Sequence, residues 1–239
     1  MANKKPPPEP RRPRVVRRRH ARHRPARRGV RPAAGPPVSS AAFDPFVAFP
    51  LVPLPAADPH ALEPREKLFG GQPHIVRPLG PADEGRLISF FNSHTEETIF
   101  QRYGYHISEM THERARRLVS VDLARDVAFG VFERASDGEE VLHAVGRYLL
   151  DADGRSAEVA FVVRESKRNL GICTVLLSRL LHVARLRGMG HLHAQVQADN
   201  APMLSIFRRH GGRLKPILGA DAVEVSVPTA PPRPAAPGP

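Results

Sequence analysis

The chain has 239 residues, enough for one domain of ordinary size with extensions. Its formal charge of +12 sits entirely in residues 1–37, where thirteen Lys and Arg face one acid, Glu9; the remainder holds 23 residues of each sign, which excludes a strongly basic folded domain. A single cysteine, Cys173, excludes an internal disulfide or an all-cysteine zinc site, and no apolar run reaches the roughly 18 residues that a spanning helix needs.

Proline divides the chain. Fifteen of its 26 prolines fall within residues 1–66, and none lies between Pro81 and Pro202. Proline removes a backbone donor and breaks helices and central strands, so the proline-free stretch is where continuous structure can form. The expected organisation is an Arg/Pro-rich disordered N-terminal extension over 1–72, one domain over 73–228, and a disordered Pro-rich end over 229–239. The basic run RRPRVVRRRHARHRPARR suits nonspecific nucleic-acid contact through counterion release. No Phe, Tyr or Trp precedes Phe43, so stacking on bases is not available to it. A solvated extension without a partner is the plainer reading. The apolar stretch AAFDPFVAFPLVPLPAA is cut by Asp44 and four prolines, a poor signal-peptide core, so a cytoplasmic protein is expected.

Within the domain, HIVRPLG reads as a first strand. PADEGRLISFFNSH then opens a helix with Pro81 and acids, as the helix dipole favours. THERARRLVSVD is a second helix, with a Thr cap and Ala115, Leu118 and Val119 at helical spacing. VAFGVFER and EEVLHAVGRYLLD flank the turn residues Asp137-Gly138, and a second turn, DADGRS, leads to AEVAFVV. Three successive antiparallel strands are predicted. After the basic turn RESKRNLG, residues Ile172, Leu176, Leu180, Val183 and Ala184 share one helical face. HLHAQV, NAPMLSIFRRHGG and AVEVSV complete a strand, a helix and a strand. The predicted class is α+β, or mixed α/β.

The segment from AEVAFVV to FRRHGG resembles the cofactor-binding half of the GNAT superfamily of acyl-CoA N-acyltransferases. Arg168-Asn169-Leu170-Gly171-Ile172-Cys173 matches the loop form Q/R-x-x-G-x-G/A, and Asn200 matches a later Asn before a helix. VRPLGPADEGRLISFFN is similar to the family's opening strand and helix, so the likeness spans roughly residues 73–215. TEETIFQRYGYHISEMTHERARRLVSVDLARDVAF resembles bacterial protein-lysine acetyltransferase domains. The resemblance implies a mostly antiparallel sheet, helices on both faces, a splay between the family's fourth and fifth strands, and acetyl-CoA as cosubstrate.

Three chemical requirements then have candidates. The pyrophosphate needs donors, which the backbone N–H groups of Asn169, Leu170, Gly171, Ile172, Cys173 and Thr174 at a helix start provide, with the charge of Arg168 beside them. The resemblance places the pantetheine arm along Phe161, Val162 and Val163 and on Asn200; Asn200 also reads simply as a helix N-cap. The acceptor amine, a protein lysine or a small amine, is protonated at neutral pH and needs a base. Glu158, in an otherwise apolar strand, matches a glutamate base of the family; its alternative is an exposed edge-strand residue. Phe207 stands where many members have a Tyr that protonates the leaving thiolate, and reads as packing. Cys173 beside a helix N-terminus, where a thiol pKa falls, is a lesser candidate nucleophile. His191 and His193 share one strand face, but no third ligand is suggestively spaced, and no metal is expected. Arg102, Tyr103 and Tyr105 are expected on the acceptor side. The rival reading is a noncatalytic acyl-CoA-binding module whose basic tail does the work.

Overall fold

A computed structural model describes residues 58–103, 107, 109–123 and 125–230. The basic run and the prolines near both ends lie outside these residues. The first described element is a short helix, α1 (Pro59–Leu62), capped by the Asp58 carboxylate, followed by a hairpin of β1 (Arg65–Phe69) and β2 (Gln72–Pro78). These elements precede residue 73, the expected domain start. The hairpin turns at Gly70 and Gly71, whose φ of 58° and 80° favour glycine.

A short 3-10 turn leads into α2 (Glu84–Asn92), then come α3 (Glu96–Tyr103) and α4 (His112–Val119). The predicted antiparallel trio is β3 (Asp126–Arg134), β4 (Glu140–Leu150) and β5 (Ser156–Val163). Helix α5 (Ile172–Leu186), β6 (His191–Gln197), α6 (Ala201–Arg209), β7 (Arg213–Pro216) and β8 (Ala222–Pro228) follow. One sheet of eight strands results, in the order β1-β2-β3-β4-β5-β6-β8-β7. Every neighbouring pair is antiparallel except β5 and β6.

The sheet separates two cores. On one face, Ile172, Leu176, Leu180 and Val183 of α5 bury against Val127, Phe129, Val131 and Tyr148, joined by Leu204 and Phe207 of α6. On the other, Leu87, Phe90 and Phe91 of α2 and Leu118 and Val119 of α4 cover Ala128, Phe132 and Leu142. Strand β3 is therefore apolar at both alternations, as a strand covered on both faces must be. The N-terminal hairpin is fastened to α5 by Arg179, whose guanidinium donates to the carbonyls of Val76, Ala61 and Glu63 at 2.7, 3.0 and 2.7 Å and lies 4.2 Å from the Phe129 ring centre.

Candidate functional site

The parallel pairing of β5 with β6 covers three positions only: Ser156 with His191, Ala157 with Leu192, and Glu158 with His193. Beyond Glu158, β5 continues to Val163 alongside β4, while β6 continues alongside β8. The strands diverge at Glu158, and the β6-facing edge of residues 159–163 leaves the ladder. An extended arm can add to such an edge as a further strand would. Phe161 turns to the α5 core and Val162 to the α2 core. The three predicted residues Phe161, Val162 and Val163 thus lie on the free edge with their side chains committed to packing.

Loop 164–171 ends this strand and starts α5. A 3-10 turn (Glu165–Lys167) leads to Asn169 at φ 62° and Gly171 at φ 80°, two successive departures into left-handed space that swing the chain under the helix start. Gly171 is the N-cap, and no side chain caps the helix; the first helical bond runs from the Val175 N–H to the Gly171 carbonyl at 3.2 Å. The N–H groups at the start of a helix have no partner within it. Here no capping side chain blocks them, and a Cβ at Gly171 would meet nothing within 4 Å, so the space above the turn is open. This cradle fits a pyrophosphate.

Ile172 is 2 % exposed, so its backbone alone faces the cradle. Leu170 packs over Gly70 and joins the core. The Cys173 thiol is half-buried, and burial pushes it up to about 11 despite the charge of Arg168. Desolvation here outweighs the charge of Arg168 and disfavours the thiolate that a nucleophile would need. Thr174 lies one turn along, at a groove shared with Arg65, Lys67 and His182.

Arg168 is turned towards α3. Its Nη2 donates to Thr98 Oγ1 at 2.8 Å and lies 3.5 Å from Glu165. Glu165 accepts the Thr98 hydroxyl at 2.7 Å, and the His94 ring nitrogen lies 3.2 Å from it. The loop and the helices on the Glu158 side are therefore joined by one polar knot, which the sequence reading did not single out. Its signal is faint: acids and hydroxyls around a basic turn are common.

Asn200 caps α6, its Oδ1 accepting from the Met203 N–H at 3.2 Å. Phe207 is 1 % exposed and its ring centre lies 6.3 Å from that of Phe161. Its side chain packs behind the β5 edge, against Phe161. Arg102 and Tyr103 are described as helical backbone alone, and Tyr105 lies outside the described residues.

Glu158 is half-buried, opposite Leu149 on β4 and His193 on β6. It shares a face with Ala160 and Val162, which line an apolar recess beneath α2 with Phe90, Phe91 and Met110. Beside that recess, Arg147 is buried against Asp126. The two strand histidines are not idle surface residues. His193 Nε2 lies 2.8 Å from Asp151 Oδ2, the same oxygen that the Ser156 hydroxyl reaches at 2.5 Å, and the His191 ring centre is 6.0 Å away.

Among the described residues, one group has metal-ligand composition: His74, Glu133 and His143, with ligand atoms within 4.8 Å of one another. Lys167 Nζ lies 2.5 Å from the shared Glu133 oxygen, so a side-chain ammonium already neutralises this carboxylate. His143 is pushed down to about 4 by burial and by Lys167.

A family model described as an acetyltransferase (GNAT) domain matches residues 74–213. The chain belongs to the GNAT acetyltransferase family. It is an N-acetyltransferase fold that moves an acyl group from acyl-CoA to an amine, with acetyl-CoA as cosubstrate. The GNAT domain of S. lividans PAT superposes with a TM-score of 0.62 at 24 % identity, covering 72 % of this chain and 98 % of that one. A GNAT-family acetyltransferase from Streptococcus pneumoniae gives 0.52 at 18 % identity, covering 64 % and 96 %. The ribosomal L7/L12 alpha-N-protein acetyltransferase RimL, solved with coenzyme A, gives 0.53 at 15 % identity, covering 68 % and 96 %. At these identities the three show the shared fold alone.

Proposed function

We propose that this GNAT domain acetylates a lysine side chain of a protein by direct transfer, with Glu158 as the general base. The observation that carries the reading is the position of Glu158 at the last paired step before β5 and β6 diverge. A thioester held along the free edge of β5 would have its carbonyl near this point, and Glu158 reaches it from the α2 side. Arg168 and the N–H groups from Asn169 to Thr174 would hold the pyrophosphate. Backbone groups of Phe161, Val162 and Val163 would hold the pantetheine arm, with Asn200 close to it while capping α6.

The step is then simple to write. The amine nitrogen attacks the thioester carbon and its surplus proton passes to the Glu158 carboxylate. The C–S bond breaks, and the departing thiolate takes a proton from water, since Phe207 offers none. The basic run of residues 1–37 remains suited to polyanions, and removal of residues 1–37, which leaves α1 and β1 in place, would leave turnover on a small amine intact if that run only recruits partners.

The test compares wild type with Glu158→Gln, using acetyl-CoA and lysine-containing peptides alongside free small amines. A fall in kcat of about 10²-fold or more, with the cofactor Kd unchanged, is the expected result for loss of a general base. Equal turnover by Glu158→Gln would remove Glu158 from the role. Acetylation confined to the peptide α-amine would overturn the lysine assignment.

A further inference from the structure

The proton that Glu158 accepts has to leave before the next turnover, and the residue beside Glu158 in the sheet is a histidine. His193 is its register partner on β6. In a parallel pair such partners project from the same face, with strands about 4.8 Å apart. The ring is not randomly disposed. Its Nε2 lies 2.8 Å from Asp151 Oδ2, at the end of β4, and Asp151 is itself fixed by the Ser156 hydroxyl at 2.5 Å and by its own N–H on the Ser156 carbonyl at 2.9 Å. A carboxylate can only accept, so Nε2 carries the hydrogen and Nδ1 of the neutral ring is left as the acceptor. This is the oriented base-and-orienter pair that catalytic triads use, placed one strand from the base.

We propose that Asp151 and His193 form a proton exit for Glu158, an inference that rests on Glu158 being the base. The amine proton, once on the Glu158 carboxylate, moves to Nδ1 of neutral His193, and the resulting imidazolium keeps its Nε2–H on Asp151. The Nδ1 proton then passes to solvent, restoring both groups. His193 is half-buried, with Leu192 and Ala194 buried beside it and Gln195 exposed further along β6, so one side of the strand end meets water. His193 is thus a relay residue acting through Glu158, and Asp151 positions it.

The charges facing His193 among the described residues come from four strands: Asp151 on the end of β4, Glu158 on β5, His191 on β6 and Glu224 on β8. The hydrogen bond to Asp151, and the charges of Asp151, Glu158 and Glu224, raise the His193 pKa against the effect of burial. The relay works only while His193 is neutral at the start. Turnover should therefore fall as pH drops through this raised value, and Asp151→Asn, which removes the main cause, should move that acid limb to lower pH.

The experiment uses the full chain with acetyl-CoA and one amine acceptor, and measures kcat and KM across pH for wild type, His193→Gln, His193→Ala, Asp151→Asn and Glu158→Gln. Glutamine keeps a donor for Asp151 but cannot carry a proton. The expected result is a kcat loss of roughly tenfold in His193→Gln, below the range for a direct base, with KM little changed. Added imidazole should restore His193→Ala, which a merely structural defect would not allow. Unchanged kcat and acid limb in His193→Gln, with Glu158→Gln inactive, would overturn the relay and leave Glu158 as base. Full activity in Glu158→Gln would overturn both readings. Loss in His193→Ala without imidazole rescue, together with normal kcat in His193→Gln, would reduce His193 to a packing role and overturn the relay.

Discussion

The Thr98 hydroxyl donates to Glu165 Oε1 at 2.7 Å, and the Thr98 oxygen also accepts from Arg168 at 2.8 Å. One small side chain on α3 thereby holds both an acid and a base of the loop that precedes α5. Partial burial pushes the Glu165 carboxyl up, but the hydrogen bonds from Thr98 and from backbone N–H groups prevail and hold it at about 2. A carboxyl depressed in the folded state adds stability above its unfolded pKa of about 4.3, and that contribution is lost as pH falls towards 2. Asp83, Glu133 and Asp151 are depressed too, so Glu165 supplies one share of the acid limb. Thermal melts of wild type and Glu165→Gln from pH 6 to pH 2 should converge at the acid end. Curves that coincide across the whole range would show that Glu165 contributes nothing, and a constant offset would show that its contribution does not titrate.

Gly171 has φ 80° in open space. Asparagine tolerates that backbone, so Gly171→Asn should fold and retain some affinity. Gly171→Glu places a carboxylate where a pyrophosphate is expected, and its acetyl-CoA affinity should fall by about 100-fold, the reach of one misplaced charge. Titration calorimetry on both variants reads this directly. Equal affinities would move the phosphate site elsewhere.

Arg179 donates to three carbonyls, Val76 on β2 and Ala61 and Glu63 in and just after α1. Replacing it with Met keeps much of the stem but strands these acceptors. A loss of about 2–4 kcal/mol is expected, at the cost usual for unsatisfied groups. Limited proteolysis should then open the chain near residues 58–64 before the rest. Denaturant unfolding together with the cleavage pattern decides it, and unchanged proteolysis would show that α1 is held by its apolar contacts alone.

Phe207 offers a direct check on the leaving-group step. At 1 % exposure its ring has no route to solvent. Phe207→Tyr would bury a hydroxyl and should cost about 1–3 kcal/mol without raising kcat. Phe207→Ala should cost about 3–5 kcal/mol. A clear gain in kcat with Tyr would mean that the position does reach the thiolate.

Much of this architecture could be read from pattern. The antiparallel trio and α5 were legible because apolar periodicity is strong where an element is covered on one or both faces, as in VAFGVFER and in the Ile172–Val183 stripe. Strand β1, which pairs with the predicted first strand HIVRPLG (β2), was missed because REKLF is exposed at four of five positions and carries little apolar signal. Strand β7 is four residues with none fully buried, and α3 opens with the polar EET, so neither announces itself. In the site, the loop and Glu158 were found through the resemblance. The Asp151–His193 pair was not: its members lie 42 residues apart and meet only where the end of β4, the start of β5 and β6 come together.

The short parallel seam between β5 and β6 also divides the sheet mechanically. Strands β1 to β5 form one leaf, and β6, β8 and β7 form the other, joined edge to edge at three register positions and along the back by α5 and α6. An arm laid in the gap would bridge both leaves like a rivet. Amide exchange along Ala194–Gln197 and Val159–Val163 should therefore slow together when acetyl-CoA is present, while the distant β1–β2 hairpin keeps its own rate.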